Sequence, residues 1–315
     1  MSESASQSKQ AAPATLRRQT AVATMRKAAC IAVASILLFC AVYLIAVRTG
    51  VGQRFENDVW LGAGQTAAQR PAQAVRALNL IGTGTGIAAV AVVFLIGLLR
   101  RRIALAVAGV AVIAASVGTA EYLKGALSRP NLVPGWQESS GNSFPSGHTA
   151  TAMAVMFALI LVVPYRIRGL VAFCSAALAT EIGALTILAR WHRPSDTLGA
   201  DLMVLCYASL AVLILALFGR VRPAELRLFA SRTARGLFAF GPIAVGTATA
   251  LCGALLFAAL TYYHWVKLAP GFEIFHTAFV AGFLLALAGS GLVTLVLLWL
   301  LGRLDLAPFS DRRSP

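Results

Sequence analysis

The stretch "NSFPSGHTATAMAVMFALILVVP", Asn142 to Pro164, joins a polar segment directly to a long apolar run. The polar part contains Ser146, Gly147 and His148, and the run after it is long enough to enter a hydrocarbon core about 30 Å thick as a helix. The stretch therefore predicts a membrane helix that begins in a polar surface loop. It also raises the question of whether the histidine at the entry point serves the fold or a chemical reaction.

The composition of the whole chain is typical of an integral membrane protein. Of the 315 residues, 58% are hydrophobic and 12% are charged, whereas a soluble domain contains about 25% charged residues. Apolar runs of about 20 residues, each able to cross a bilayer, recur along the sequence. We predict an all-α integral membrane protein, a helical bundle of about eight transmembrane helices, in which two C-terminal spans follow a six-helix core. The predicted spans cover residues 29–48, 77–99, 103–123, 148–164, 170–189, 197–218, 237–260 and 277–301.

The distribution of charge predicts the orientation of the chain. Most of the 27 Lys and Arg residues, which produce the formal net charge of +15, lie in alternate connectors between the apolar runs. Such connectors face the cytoplasm, so the pattern argues against nucleic-acid binding and places both termini on the cytoplasmic side of a cell (inner) membrane. The predicted segments are a disordered basic cytoplasmic tail at 1–28, the six-span core at 29–218, a basic cytoplasmic connector at 219–236, the two additional spans at 237–302 and a cytoplasmic tail at 303–315.

Three polar clusters lie at the ends of predicted spans, and the topology places all of them on the outer face. They are Lys124–Pro130, Pro145–His148 and Arg190–Asp196. The chain between His148 and His192 is just long enough for two crossings of about 20 residues each and a short turn. We therefore expect the two histidines to lie at the same membrane surface, where the span that ends at the first cluster also emerges.

Four residues in these clusters predict a phosphate-binding site. Lys124 and Arg129 carry fixed positive charge, and an arginine can grip phosphate oxygens bidentately. Ser146 and Gly147 precede a helix start, where free backbone N–H groups and the helix dipole attract an anion. A single lysine or arginine at a membrane boundary is also typical of a snorkelling side chain, so the prediction depends on the occurrence of all four on one face.

The two histidines and Asp196 predict a catalytic trio. Asp196 follows His192 by four residues, and its carboxylate can accept the Nδ1 proton of the imidazole, which leaves Nε2 as a nucleophile. His148 would then be the general acid that protonates the leaving oxygen. A single histidine at such a position is also typical of an interfacial cap or a structural hydrogen bond, so this prediction too depends on the combination.

The motifs "PSGH", which ends at His148, and "HRPSD", which begins at His192, resemble those of the type 2 phosphatidic acid phosphatase superfamily. The similarity covers roughly residues 76–218. The resemblance implies hydrolysis of lipid phosphates or pyrophosphates through a phosphohistidine, without a metal or another cofactor. It implies His192 as the nucleophile, Asp196 as its orienting partner and His148 as the acid. The residues that match the family's phosphate-binding positions are Lys124, Ser146 and Gly147.

Two arginines of the family pattern stand elsewhere in this chain. The expected position of the first is Asn131, but the Arg-Pro pair occurs two residues earlier and begins at Arg129. The expected position of the second is Thr186, and the nearest arginines are Arg190 and Arg193. We expect Arg129 and Arg190 to bind the phosphate from these shifted positions and to supply the positive charge that phosphoryl transfer requires.

The sequence thus predicts a lipid phosphatase that acts at the outer leaflet, with the bilayer and a membrane lipid phosphate as its partners. Polyprenyl phosphates, polyprenyl pyrophosphates and glycerolipid phosphates all fit this prediction. The displaced arginines leave two alternatives, a flippase-like transporter that binds a lipid phosphate without hydrolysing it and a degenerate, non-catalytic membrane subunit. The aromatic outer loop at 261–276 predicts an interfacial belt, and less readily a lid over the lipid headgroup.

Overall fold

The computed structural model describes residues 2–67, 69–135, 141–164, 167–223, 229–267, 271–302 and 304–306. The helices in these ranges are α1 (Ser2–Val42), α2 (Gly50–Gly64), α3 (Gln69–Asn79), α4 (Thr83–Leu99), α5 (Ile103–Ala126), α6 (Gly147–Val162), α7 (Arg168–Leu188), α8 (Pro194–Leu217), α9 (Phe229–Lys267) and α10 (Phe272–Leu301). A π-helical segment, Tyr43–Val47, continues α1. The short strands β1 (Arg222–Pro223) and β2 (Leu304–Asp305) pair antiparallel.

Six helices in the described part of the chain are long and apolar enough to cross a membrane. They cover Thr15–Val47, Ile103–Ala126, Arg168–Leu188, Pro194–Leu217, Phe240–Lys267 and Glu273–Leu301. The pair Gln69–Asn79 and Gly84–Leu99, bent by 52°, adds a seventh span if the two helices are counted as one, and α6 is shorter at 16 residues. The predicted all-α membrane bundle is confirmed, and the number of eight spans stays a prediction.

The N-terminal segment differs from the predicted disordered tail at 1–28. Helix α1 begins at Ser2 and continues without a break into the first span. The hydroxyl of Thr24 donates to a carbonyl oxygen one turn earlier, and Thr24 and Ala28 are buried against the bundle. Alanine-rich sequence has a high helix propensity, and a helix that is already nucleated in the span extends at the gain of one hydrogen bond per residue.

The predicted C-terminal tail at 303–315 contains an ordered segment, and its later part lies outside the described residues. Leu304 and Leu306 are buried. The Leu304 carbonyl oxygen accepts from Arg168 Nη1 at 3.0 Å, and the Leu306 carbonyl oxygen accepts from Arg102. The beginning of the tail is therefore attached to the arginine-rich starts of α5 and α7.

Helices α6 and α8 form the centre of the bundle, where small side chains let neighbouring backbones approach closely. Ala150, Ala154 and Ala158 recur every fourth residue along α6, and all three are fully buried. Gly109 of α5 faces this row, because a Cβ at that position would lie 3.0 Å from the methyl group of Ala158. The close packing of α5, α6 and α8 brings the end of α5 and the starts of α6 and α8 to one end of the bundle.

Helix α2 lies in the connector that follows the first span, where the sequence analysis assigned no element. Gly62 of α2 faces the backbone of Phe275 in α10 so closely that no side chain fits between them. Gly282 of α10 faces the side chains of Pro194 and Val59, and a Cβ at Gly282 would lie 2.8 Å from each. These glycines hold α2 between α10 and the start of α8, so α2 contributes its side chains to the same end of the bundle.

We expect Gly62→Ala to lower the free energy of unfolding by about 1–3 kcal/mol, because the added methyl group overlaps the main chain of Phe275. The measurement is a thermal or SDS-titration unfolding curve of the purified protein. Gly118→Ala is the matched control, since a Cβ at Gly118 in α5 meets nothing within 4 Å and alanine is the better helix former. Equal losses in the two variants would contradict the close contact between α2 and α10.

Candidate active site

Three segments meet around the predicted site residues: the end of α5, the loop that leads into α6, and the loop between α7 and α8. The Ser146 N–H donates to the Asp196 carbonyl oxygen at 2.9 Å and so connects the second segment to the third. Phe144 is fully buried, and its ring centre lies 5.0 Å from that of Phe39 in α1. Gly199 of α8 leaves the space that the Phe144 ring occupies. The loop before α6 is therefore anchored on both sides by packing and by a hydrogen bond.

His192 and Asp196 are paired at the start of α8. His192 Nδ1 lies 3.3 Å from Asp196 Oδ2, and the same oxygen accepts from Ser143 Oγ at 2.6 Å and from the Arg193 N–H at 2.9 Å. Asp196 is fully buried. Because an ionised carboxylate only accepts hydrogen bonds, Nδ1 carries the proton and Nε2 holds the free lone pair. The structure thus brings the predicted nucleophile and its orienting carboxylate together.

His148 lies beside this pair, in the first turn of α6. Its ring centre is 6.3 Å from that of His192 and 5.3 Å from that of Trp191. The N–H groups of Trp191 and His192 both donate to the Thr186 carbonyl oxygen, at 3.0 and 3.2 Å, which fixes the backbone that carries the second histidine. Two imidazoles at this separation can approach one phosphoryl group from two sides.

Lys124 and Gly147 lie together at the N-terminus of α6. A Cβ at Gly147 would be 3.2 Å from Lys124 Nζ and 3.0 Å from Glu121 Oε1, so the ammonium group stands directly against the first turn of the helix. Lys124 also forms a partly exposed ion pair with Glu121 at 2.7 Å. The first N–H groups of a helix have no intrahelical acceptor and attract anions. The ammonium group adds a full positive charge to this attraction.

Ser146 occupies a different position from the one that its predicted phosphate-binding role requires. Its hydroxyl caps α6 and accepts from the Thr149 N–H at 3.3 Å and from Thr149 Oγ1 at 3.0 Å, and its side chain is fully buried. Its own N–H donates to the Asp196 carbonyl oxygen. Ser146 therefore fixes where α6 begins, and the N–H groups next along the chain, those of Gly147 and His148, are the ones placed for an anion.

Arg129 is enclosed by two carboxylates. Its Nη1 donates to Glu56 Oε2 and its Nη2 to Asp196 Oδ1, each at 2.8 Å. Burial acts to lower the pKa of Arg129, but the Asp196 and Glu56 carboxylates raise it above its ordinary value. The predicted phosphate-binding role needs correction, because both terminal nitrogens are already engaged. The arginine instead neutralises and orients the carboxylate that holds His192.

Glu56 of α2 is a site residue that the sequence analysis missed. Besides its ion pair with Arg129, Glu56 Oε1 accepts from the Ser195 N–H at 3.0 Å, and the residue is only 2% exposed. Burial raises the pKa of Glu56, while the Arg129 guanidinium acts in the opposite direction. Two further polar residues follow Gln53 at helical spacing, Glu56 three positions later and Asn57 four positions later. This spacing makes their side chains neighbours of Gln53 on the helix surface. That spacing is the signal that could have identified α2.

Arg190 lies against Trp60 of α2, with its guanidinium carbon 3.2 Å from the ring centre. Gly64 leaves the space for this stacking, since a Cβ there would be 3.0 Å from Arg190 Nη1. Burial lowers the pKa of Arg190 and also that of Arg193, which is buried beside Asp196. The Arg190 guanidinium thus stacks on the Trp60 ring. A contact between Arg190 and a phosphate stays a prediction.

The segment that carries this arrangement matches a known family. Residues 106–222 match the family model described as PAP2 superfamily, whereas no curated protein and no solved structure matches the chain. The matched segment contains both histidine motifs, and Glu56 and the helices α9 and α10 lie outside it. The superfamily generally comprises phosphatases, which supports a phosphatase-type function, that of a phosphoric ester hydrolase. The match over residues 106–222 therefore supports a member of the type 2 phosphatidic acid phosphatase superfamily.

Proposed function

We propose that the protein removes the terminal phosphate of a membrane lipid phosphate or pyrophosphate, at the outer leaflet, through a phosphohistidine on His192. The observation that carries this proposal is the pairing of His192 Nδ1 with the buried Asp196, with the ring of His148 facing the same histidine. A histidine that a carboxylate holds in this tautomer has its Nε2 lone pair available as a nucleophile.

The reaction has two steps. In the first, His192 Nε2 forms a bond to phosphorus while the bond between phosphorus and the lipid oxygen breaks, and the protonated His148 gives its proton to that oxygen. In the second, water attacks phosphorus, the bond to Nε2 breaks, and His148 takes up the proton of the water. Asp196 stabilises the positive charge on the imidazole of His192 in both steps. The products are the dephosphorylated lipid and inorganic phosphate, and both histidines return to their starting states.

Positive charge around the transferred group comes from two sources. Lys124 places an ammonium group at the N-terminus of α6, and the first N–H groups of that helix, those of Gly147 and His148, have no intrahelical acceptor. Phosphoryl transfer is catalysed mainly by positioning and by charge stabilisation, so these groups bind the phosphoryl oxygens. Arg129 acts through Asp196 without touching the substrate.

A lipid substrate and an outer-leaflet site agree with where these residues lie along the spans. Lys124 ends α5 and Arg190 follows α7, whereas Arg102 and Arg168 stand at the opposite, arginine-rich ends of the same helices. Arginine-rich ends face the cytoplasm, which supports an extracytoplasmic site with both chain termini in the cytoplasm. A polyprenyl or glycerolipid tail would stay in the bilayer between helices while its headgroup reaches the site.

The test is the release of inorganic phosphate by the purified protein from polyprenyl phosphates, polyprenyl pyrophosphates, phosphatidic acid and phosphatidylglycerol phosphate, with EDTA present throughout. We expect turnover of at least one of these lipids at a rate that EDTA does not change. Lipid binding without turnover of any of them would favour the flippase-like alternative, for which the enclosure of Arg129 by carboxylates is the supporting observation. The absence of both binding and turnover would favour a non-catalytic subunit.

We expect Lys124→Met to raise KM for the lipid phosphate about tenfold, the effect of losing one charge-assisted contact to the phosphate. The decrease in kcat should be smaller, because the ammonium group holds the phosphate before as well as during the reaction. Lys267→Met, at the exposed end of α9, is the matched control. An equal change in KM for both variants would mean that Lys124 contributes only to surface charge.

A further inference from the structure

A cavity of about 200 Å³ lies beside α2, on a different face of this helix from Glu56. Four residues of α2 line the cavity at spacings of three and four positions, which place them along one side of the helix. They are Arg54, Asn57, Asp58 and Leu61. The cavity is therefore separate from the ion pairs of the reaction site, although the two have α2 as a common wall.

Asn57 supplies this cavity with a hydrogen-bond donor that nothing in the described part of the chain satisfies. The residue is only 5% exposed, and its Nδ2 has no hydrogen-bond partner among the described residues. A buried amide without a partner costs free energy, and native proteins retain few such groups. A bound atom that accepts a hydrogen bond from Asn57 Nδ2 would remove this cost.

The charges around the cavity balance each other. Trp265 Nε1 donates to Asp58 Oδ2 at 2.8 Å, and the Arg54 guanidinium lies 4.8 Å from the centre of the same indole ring. The polar wall thus contains one cation and one anion. An anionic ligand would meet the Asp58 carboxylate and a cationic one the Arg54 guanidinium, so a neutral group with both donors and acceptors fits best. Hydroxyl groups have this property.

The remaining walls are apolar, and the space is small. Val133, Ile274 and Phe275 complete the lining, and pockets for drug-sized ligands are larger, at about 300–1,000 Å³. Gln53 of α2 fixes the segment before Val133, since its Nε2 donates to the Pro130 carbonyl oxygen at 2.5 Å and its Oε1 accepts from the Leu132 N–H at 3.0 Å. A single sugar ring or a glycerol unit, with hydroxyls at its edge and C–H groups on its face, matches these walls.

We propose that this cavity binds a neutral, hydroxyl-rich group of monosaccharide or glycerol size, with Asn57 as donor, Asp58 as acceptor and Phe275 as the apolar wall. The group belongs either to a lipid headgroup or to a free sugar, which share the chemistry of adjacent hydroxyls. The binding does not depend on the reaction at His192.

The experiment uses the full chain in phosphatidylcholine nanodiscs and a photoactivatable alkyl glucoside, with the same alkyl chain without the sugar as the control probe. We expect the glucoside to label the cavity segments of α2 and α10 saturably, and Asn57→Leu to weaken this labelling about tenfold, the effect of one lost hydrogen bond. Asn79→Leu, at the exposed end of α3, is the matched control and should leave it unchanged. The Tm of Asn57→Leu should be no lower than that of the wild type, because the substitution removes a buried amide that lacks a hydrogen-bond partner.

Competition assigns the source of the bound group. Displacement of the probe by glucose or glycerol indicates a free ligand, and displacement only by alkyl glucosides indicates a lipid headgroup. Labelling that is absent, that the sugar-free probe reproduces, or that Asn57→Leu leaves unchanged would overturn the proposal. The labelling should persist in His192→Ala, so failure of the proposed phosphatase and failure of this binding site are seen in different measurements.

Discussion

His192→Ala should release phosphate from lipid phosphates about 10⁴-fold or more slowly than the wild-type protein, because alanine removes the atom that bonds to phosphorus. The remaining groups, Lys124 and the first turn of α6, still bind the phosphate, so lipid binding should change far less than turnover. Initial rates at saturating lipid measure the effect. His276→Ala, which changes an exposed histidine at the start of α10, is the matched control.

Replacing His148 should also slow phosphate release, by an amount that depends on whether the leaving oxygen needs a proton. His148→Ala should slow release from lipid phosphates about 10²- to 10⁴-fold, the usual contribution of a general acid. An aryl phosphate has a leaving group that needs no proton, so it should restore much of the rate in His148→Ala and none in His192→Ala. Turnover that persists in His192→Ala would contradict the assigned nucleophile. Equal slowing of His148→Ala on both kinds of substrate would contradict the assigned acid.

Arg129→Met should lower the free energy of unfolding by about 3–5 kcal/mol, the usual cost of removing one partner from a buried ion pair. Methionine leaves the buried carboxylates of Glu56 and Asp196 facing each other without the cation that joins them. SDS-titration unfolding measures the loss. Lys124→Met is the control for stability, since its ion pair with Glu121 is partly exposed and contributes about 0–1 kcal/mol.

The pH dependence of Arg129→Met follows from the pKa of the two carboxyl groups. Without the guanidinium, burial and mutual repulsion raise the pKa of Glu56 in the folded state further above its unfolded value. An acid whose pKa is raised in the folded state destabilises the fold fully above that pKa, and the penalty shrinks as pH falls from the folded pKa towards the unfolded pKa. The deficit of Arg129→Met should therefore shrink at acidic pH, and adding Glu56→Gln should recover part of it at neutral pH. A deficit that is the same at every pH would indicate lost packing and not uncompensated charge.

Most of the bundle could be predicted from the sequence, because a long apolar run is more stable in the bilayer than in water whatever the rest of the chain does. The runs at 103–123 and 197–218 correspond to α5 and α8 within a few residues. Helix α2, in the connector after the first span, could not be predicted in this way, since it has no long apolar run and is positioned by contacts with α8 and α10. Gly62 and Gly282 mediate those contacts, and neither glycine is distinguishable in the sequence from others that face open space.

The candidate site was partly predictable because the spacing of residues along helices is a local property of the sequence. His148, His192 and Asp196 are separated by one hairpin or one helical turn, so spacing alone brings them to one surface. The surroundings of Thr186 could not be predicted from spacing. The family pattern has an arginine at this position, whereas this chain has a fully buried threonine whose hydroxyl donates to the Gly183 carbonyl oxygen at 2.7 Å. The threonine supplies no positive charge from that position.

The sequence by itself determined that this protein is a helical membrane bundle with its histidine motifs at one surface, because hydrophobic length and helical spacing are local properties of the chain. Only the tertiary structure decided which charged groups lie at the N-terminus of α6 and which are enclosed by groups of opposite charge. Arg129 and Lys124 look alike in the sequence, yet the first is closed off by Glu56 and Asp196 while the second stands at the start of α6. The difference depends on distances between remote segments, since the strength of a charge pair is set by its separation and its burial.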